Sequence, residues 1–182
     1  MVRRASSPVA ASTASSATGG GGTSNPVAEY THAGAFALNA ALRAGDASSP
    51  LVRRLDRAFG TLPAPVDVRR VVSGDGARRI IDAARTHVPY TDPGFMSTQK
   101  VGHGSLEDAI EDFAPGSNRR DVVVIEARLP RGARAIDVGN PAGGLGYDQG
   151  EVLLPRGTQV FVGDMRRENG VRVYRATLRP PR

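Results

Sequence analysis

Three groups of polar residues interrupt apolar stretches of this sequence, and each could take part in chemistry. The first is the pair Gln149 and Glu151, on either side of Gly150, where a glycine-rich loop meets the apolar run "EVLLP". Residues two apart on an extended segment project to the same face, so the amide and the carboxylate are expected side by side. A carboxylate fixed at the start of a strand can stabilise positive charge that develops during a reaction.

The second group is the pair Arg69 and Arg70 within "VDVRRVVSG". Because side chains alternate between the two faces of a strand, one of these arginines must face the core side. A buried guanidinium is costly unless it meets an anion. A structural ion pair and contact with an anionic ligand therefore both remain open.

The third group is Ser97 and Thr98, which follow the apolar pair Phe95 and Met96 in "DPGFMSTQK". Taken alone, this segment is typical of an ordinary strand start that carries hydroxyl groups. Its position in the chain between the other two groups is what makes it a candidate for function.

Hydrophobic periodicity predicts the elements that must position these residues. The second predicted helix has Ser49 as its N-cap and Pro50 as its first residue. Helices are predicted for "AGAFALNAALRAG", "SSPLVRRLDRAFGTLP", "DGARRIIDAARTHV" and "GSLEDAIEDFA", and strands for "VDVRRVV", "DVVVIEARL", "EVLLPRGTQVFVGD" and "GVRVYRATL". The helices come early and the strands late, which favours an α+β fold with antiparallel sheet over an alternating parallel α/β fold.

The chain divides into a tail, residues 1–26, and a domain, residues 27–182. A length of 182 residues with 40% hydrophobic content suffices for one globular domain plus a tail. The tail consists mainly of Ser, Thr, Ala and Gly, so we expect it to be disordered. It could be a plain flexible segment or a functional address, and its composition resembles the export signals of bacterial type III effectors.

Composition narrows the possible functions. Cysteine is absent, which excludes disulfides, thiolate catalysis and cysteine-ligated metals, and the three histidines lack metal-site spacing, so no metal is expected. No run approaches the roughly 18 apolar residues that a membrane helix needs, so no membrane span is expected. The net charge of +6 suits nucleic acid, an anionic membrane or an acidic protein, and does not choose among them.

In their order and spacing, the three groups resemble the bacterial mono-ADP-ribosyltransferase toxins and effectors. That family has an arginine ending a first strand, an aromatic-Ser-Thr-Ser segment, and a Glu two residues after a Glu or Gln that opens a Leu-rich strand. "YTHAGAFALNAALR" and "VVVIEARLPRGARAIDV" extend the likeness over most of residues 29–165. The resemblance implies N-terminal helices followed by two packed, mainly antiparallel β-sheets that form an NAD cleft.

The resemblance also implies an activity: transfer of ADP-ribose from NAD, a co-substrate, to a host macromolecule, most simply a protein side chain. Glu151 would stabilise an oxocarbenium-like transition state and accept a hydrogen bond from the ribose 2′-hydroxyl. Ser97 would hold the Glu151 carboxylate toward the ribose. Arg69 would bind the NAD pyrophosphate, with Arg70 as a second cofactor-binding candidate. Thr98 belongs to the same cofactor-binding segment, with a mainly structural role.

Two residues upstream of Glu151, Gln149 and Tyr147, would face the acceptor. Gln149 cannot act as a base, but its amide can bind another amide or a base edge. Members with Gln-x-Glu resemble either the Rho-modifying clostridial exoenzymes, which act on asparagine, or the pierisin-like toxins, which act on guanine in DNA. Tyr147 could stack on the acceptor or pack its loop onto the body. Without the tail the charge is about +4, from 22 basic and 18 acidic side chains, modest for a nucleic-acid binder, so a host protein is the preferred partner.

Three departures from the family pattern support an alternative. Arg70 stands where glycine is common, Gln99 replaces the last serine of the Ser-Thr-Ser segment, and Gln149 replaces a glutamate. The alternative is an effector that keeps the fold and binds a host partner without turning over NAD. Under either hypothesis the resemblance implies a protein secreted from a bacterium that acts in the host cell cytoplasm. No heptad or patch signal indicates an oligomer, so we expect a monomer.

Overall fold

The computed structural model describes residues 25–139 and 150–181, without the side chains of residues 32 and 33. The helices are α1 Pro26–Glu29, a π-helical turn Tyr30–Gly34, α2 Ala35–Arg43, α3 Pro50–Ala58, α4 Gly74–Thr86, α5 Leu106–Phe113 and a 3-10 turn Arg119–Asp121. The strands are β1 Gly60–Thr61, β2 Val66–Ser73, β3 Tyr90–Thr91, β4 Met96–Lys100, β5 Val122–Leu129, β6 Arg134–Asp137, β7 Glu151–Leu154, β8 Gln159–Glu168 and β9 Val171–Arg179. The predicted tail lies outside the described residues except Asn25 and Pro26, which cap and begin α1.

Local sequence signals fix where the helices start. The Ser49 side chain accepts a hydrogen bond from the backbone N–H of Leu51, and Pro50 begins α3, as the sequence predicts. At α5, Ser105 accepts from the backbone N–H of Asp108 at 3.1 Å, while Asp108 accepts from the backbone N–H of Ser105 at 2.8 Å. This reciprocal capping satisfies backbone donors that would otherwise have no partner.

The strands form one hydrogen-bonded order, β1-β6-β7-β4-β2-β5-β9-β8-β3. Every pair in it is antiparallel except β5 with β9, which confirms the predicted α+β fold with mainly antiparallel strands. The predicted strand "EVLLPRGTQVFVGD" is divided into β7 and β8. Pro155 has no backbone N–H to continue the ladder, and Gly157 has a φ of 81°, so the chain turns between them.

The order contains a weak join between β2 and β4, which we call the seam. These strands are paired only at Val68 with Lys100 and at Arg69 with Gln99. Beyond the seam β2 continues along β5, while β4 continues along β7. The two halves of this order share one apolar cluster, which contains Val68 of β2 and Met96 of β4, so they pack together. Cavities lined by β2 and β4 residues lie along the seam, and we call this region the cleft.

Apolar packing places different helices on the two sides of the seam. Helices α1 to α3 bury Tyr30 and Leu55 against Phe95 and Leu153 beside β4 and β7. Helix α5 packs on β2, β5 and β9 through a separate cluster, Leu106, Ile110, Ala114, Val122, Val124, Val171 and Val173. Each fully buried large apolar side chain stabilises the fold by about 1.5 to 3 kcal/mol, so both halves of the order are firmly held.

Candidate active site

Three polar residues from separate strands lie in one row across the seam. Arg69 of β2 is paired in register with Gln99 of β4, and Gln99 is paired with Glu151 of β7. Directly paired residues of antiparallel strands point to the same face, with their Cβ atoms about 5 Å apart. The structure therefore brings together the predicted arginine and the predicted glutamate, with Gln99 between them.

The backbone around Glu151 is fixed on both sides. Val138 N–H donates to the Glu151 carbonyl at 2.9 Å, and Lys100 N–H donates to the Gly150 carbonyl at 2.8 Å. Gly150 has a φ of 62°, and a Cβ added there would lie 2.5 Å from Cγ of His103. Glycine is therefore required at position 150 both for its positive φ and because a side chain would not fit, and the backbone at the start of β7 is held in one conformation.

Burial and one hydrogen bond set the ionisation of Glu151. Burial, the larger effect, raises the pKa of the Glu151 carboxyl above its ordinary value, and a hydrogen bond with the Ser97 side chain acts in the opposite direction. A carboxylate with little water around it interacts strongly with positive charge placed beside it. The Ser97 side chain therefore lies close enough to Glu151 to influence the pKa of its carboxyl, and its role in holding that carboxylate stays a prediction.

Tyr30 and Asn39 extend this contact into the helical layer. The buried Tyr30 hydroxyl accepts a hydrogen bond from Asn39 Nδ2 at 2.8 Å and is also hydrogen-bonded with Ser97. Asn39 Oδ1 in turn accepts from the backbone N–H of Phe95 at 2.9 Å. A carboxylate can only accept, so the Ser97 hydroxyl donates to ionised Glu151 and accepts from Tyr30. Burial raises the pKa of Tyr30, which keeps this donor protonated.

Arg69 is buried without a counter-charge among the described residues. It is 8% exposed, and its Nε has no hydrogen-bond partner. Glu126 is its registered neighbour on β5, but the Glu126 carboxylate is ion-paired with Arg166 at 2.9 Å. The guanidinium of Arg69 is therefore open to an anion or another acceptor.

Arg70 has a different environment. Its guanidinium donates to the Ser97 carbonyl at 2.9 Å and to the Asp92 carboxylate at 3.3 Å, filling the gap where β2 and β4 diverge. Arg43 donates to both oxygens of the same carboxylate at 3.2 Å. Burial lowers the pKa of Arg70. The structure thus places Arg69, and not Arg70, in the row with Glu151, and it gives Arg70 a partner of its own.

A cavity of about 420 Å³ lies beside Arg70, between α4 and the β-sheet. Its lining contains apolar residues such as Ile80 and Ile125, and its charged residues are Arg43, Arg70, Arg79, Asp75 and Asp92. A concave surface with an apolar floor and a few polar groups is typical of a ligand site.

The other predicted site residues are placed as follows. The buried Thr98 hydroxyl donates to the Val152 carbonyl at 2.7 Å, so it joins β4 to β7 and has no hydrogen left for a ligand. Gln149 and Tyr147 lie outside the described residues. In the part of the chain that the structure describes, no group of acidic and histidine side chains could hold a metal ion. Nor is any of the described helices long and apolar enough to cross a membrane.

Sequence reasoning did not assign three residues that the structure brings to the site. Asn39 and Asp92 carry no motif by themselves, and Tyr30 was matched to the family without a role. Asn39 and Asp92 make contacts with residues far along the chain, Asn39 with Phe95 and Asp92 with Arg43. The Asn39 and Arg43 positions, four apart on one helix, were the signal that a shared face existed.

Several solved structures have a similar fold. C3stau2 from S. aureus, solved with NAD, is 20% identical, covers 86% of this chain and 85% of its own, and has a TM-score of 0.62. The Clostridium limosum C3 exoenzyme is 18% identical, with coverages of 85% and 83% and a TM-score of 0.63. Exoenzyme S from Pseudomonas aeruginosa, solved with human 14-3-3 protein beta and carba-NAD, is 20% identical, with coverages of 85% and 71% and a TM-score of 0.57. At these identities the likeness establishes the fold.

Sequence comparison gives the family. None of the curated proteins is significantly similar in sequence to this chain. The family model described as ADP-ribosyltransferase exoenzyme matches residues 23–176, which include Arg69, Ser97 and Glu151. With that match over most of its length, and with the fold of the solved toxins, the chain belongs to the ADP-ribosyltransferase exoenzyme family.

Proposed function

We propose that this protein is an NAD-dependent mono-ADP-ribosyltransferase that modifies a host macromolecule, with a protein side chain as acceptor. NAD supplies the ADP-ribosyl group and loses nicotinamide. One observation carries the proposal: the half-buried Glu151 carboxylate, next to Ser97, lies in one row with the buried Arg69, whose Nε has no hydrogen-bond partner among the described residues. These are the two charges that the substrate requires, a carboxylate for the ribose and a cation for the pyrophosphate.

The residues present fit NAD. A buried donor without a partner costs about 1 to 3 kcal/mol, so an acceptor that reaches Arg69 Nε recovers that free energy. The planar guanidinium of arginine suits the oxygens of a pyrophosphate better than an ammonium does. NAD and carba-NAD in the solved relatives support the same co-substrate.

Each residue has a separate role in the proposed reaction. Glu151 accepts a hydrogen bond from a ribose hydroxyl and stabilises the positive charge that develops as nicotinamide leaves. Ser97 orients that carboxylate, and Tyr30 orients Ser97. Arg70 and Thr98, first considered for cofactor binding, hold the strands at the cleft. We assign acceptor recognition to Gln149 and Tyr147.

Isosteric removal of the Glu151 charge tests the role of this residue. Glu151→Gln is expected to slow nicotinamide release from NAD by about 100-fold or more, while its circular dichroism spectrum and melting temperature remain those of a folded protein. Glu111→Gln, on the exposed side of α5, is the matched control and should retain full release. Equal release by Glu151→Gln and the unchanged protein would refute the assignment.

Labelling a eukaryotic cell lysate tests the acceptor. With labelled NAD, the protein is expected to produce bands that protease removes and nuclease does not. Label that nuclease removes would identify DNA as the acceptor instead. If the folded protein neither releases nicotinamide nor labels the lysate, binding of a host partner without turnover replaces the transferase as its function.

We further propose that the protein is secreted from a bacterium and acts in the host cell cytoplasm, with residues 1–26 as a type III export signal. The family is one of exoenzymes, and the solved complex of Exoenzyme S with a human protein supports a host partner for this chain. A reporter fused after residue 26 should leave a bacterium that has a type III apparatus and remain inside an isogenic strain without it. Equal retention in both strains would contradict this route.

A further inference from the structure

Gln99, between Arg69 and Glu151, has no role in the site described so far. The residue is 4% exposed, and its side-chain Oε1 has no hydrogen-bond partner among the described residues. Arg69 beside it is 8% exposed, and its Nε also has none. One acceptor and one donor are therefore buried next to each other, in direct register, and neither is satisfied.

The surroundings do not supply the missing partners. The Glu126 carboxylate is engaged with Arg166, and the Ser97 hydroxyl is engaged with Glu151. A cavity of about 10 Å³ lies between these strands and α5, lined by Arg69, Gln99 and Phe113 among others. A space of that size accommodates about one oxygen atom.

The chemistry of the two atoms defines what fits. The oxygen of an alcohol can donate one hydrogen bond and accept another at the same time. It could therefore donate to Gln99 Oε1 and accept from Arg69 Nε, which satisfies both buried atoms with a single group. An anion satisfies only Arg69, and an apolar group satisfies neither.

We propose that Gln99 is a specificity-determining binding residue whose Oε1, together with Arg69 Nε, binds a hydroxyl of the nicotinamide ribose, which leaves the Nη groups of Arg69 for the pyrophosphate. The inference rests on the proposed NAD site. Since Glu151 receives the 2′-hydroxyl and Gln99 is its neighbour in the row, the hydroxyl assigned to Gln99 and Arg69 is the adjacent 3′-hydroxyl. The row thereby recognises the complete ribose diol.

A calorimetric titration compares NAD with an analogue that lacks only the 3′-hydroxyl of the nicotinamide ribose. The unchanged protein is expected to bind NAD about 10-fold or more tightly than the deoxy analogue, because the analogue leaves both buried atoms unsatisfied. Gln99→Met, which has a similar volume and no amide, is expected to bind NAD about 10-fold more weakly and to discriminate much less between the two ligands. Gln159→Met changes an exposed glutamine at the start of β8 and should discriminate like the unchanged protein.

The melting temperature without ligand gives a second readout. Gln99→Met removes a buried acceptor that has no partner, so its melting temperature should equal or exceed that of the unchanged protein. Weaker NAD binding with undiminished thermal stability would separate a binding role from a folding role.

The outcomes distinguish the two proposals. If the unchanged protein binds NAD and Gln99→Met still discriminates fully against the deoxy analogue, the inference is overturned, and the two atoms share only a buried water. If Gln99→Met loses affinity for both ligands by the same factor, the inference is also overturned, because no ribose hydroxyl is being recognised. If the unchanged, folded protein binds no NAD, the proposed function itself fails.

Discussion

Asp92→Asn tests whether the buried Asp92 carboxylate is the counter-charge of Arg70, which would explain why Arg70 differs from Arg69. The Asp92 side chain is 2% exposed and is the anion for both Arg70, 16% exposed, and Arg43, 38% exposed. Removing one charge of a buried pair costs about 3 to 5 kcal/mol. The lower end applies, because the asparagine oxygen can still accept and Arg43 can turn toward water. We expect a loss of about 3 kcal/mol in the free energy of unfolding, or about 6 to 12 °C in melting temperature.

Urea denaturation followed by circular dichroism measures this loss, with Asp67→Asn as the matched control. The Asp67 pair with Arg128 joins side chains that are 52% and 66% exposed, so breaking it should cost less than about 1 kcal/mol. If Asp92→Asn destabilised the protein no more than Asp67→Asn, the buried carboxylate would not be the counter-charge of Arg70. The account of why Arg69 and Arg70 differ would then be wrong.

Three further predictions concern Glu151. The Glu151 carboxylate acts when ionised, and burial raises its pKa, so on acidification nicotinamide release should begin to fall at a higher pH than for an ordinary glutamate. Because the Ser97 hydrogen bond lowers that pKa, Ser97→Ala should move the acidic limb of the pH profile to still higher pH. Gly150→Ala should destabilise the fold by about 1 kcal/mol or more from its positive φ and the contact with His103, measured by urea denaturation, and His103→Gly should relieve only the contact. Tyr30→Phe leaves buried hydrogen bonds unmade and should cost about 1 to 3 kcal/mol in the same assay, together with slower nicotinamide release; unaffected release would show that Ser97 does not need the tyrosine.

The elements that sequence alone predicted well are those with local signals. Ser49 and Pro50 start a helix through contacts within three residues, and runs of alternating or β-branched residues identify β2 and β5. Short strands such as Gly60–Thr61 were not predicted, because two residues carry no period. Their positions depend on the strands with which they pair.

The candidate site divides in the same way. Glu151 and Ser97 could be named from the sequence, since their segments are compact and ordered along the chain. The choice between Arg69 and Arg70 could not be made, because it depends on the register of β2 against β4, and shifting a strand by one residue exchanges its two faces. Gln99 looked like a simple departure from the family pattern, and only its burial beside Arg69 gave it significance.

The seam determines how the two halves of the sheet are joined. Only two registered backbone pairs join β2 to β4, whereas β2 and β5 share eight, so the two halves are held together mainly by the apolar cluster that contains Val68 and Met96. A ligand that touches Glu151 on one half and Arg69 on the other would act as a cross-brace.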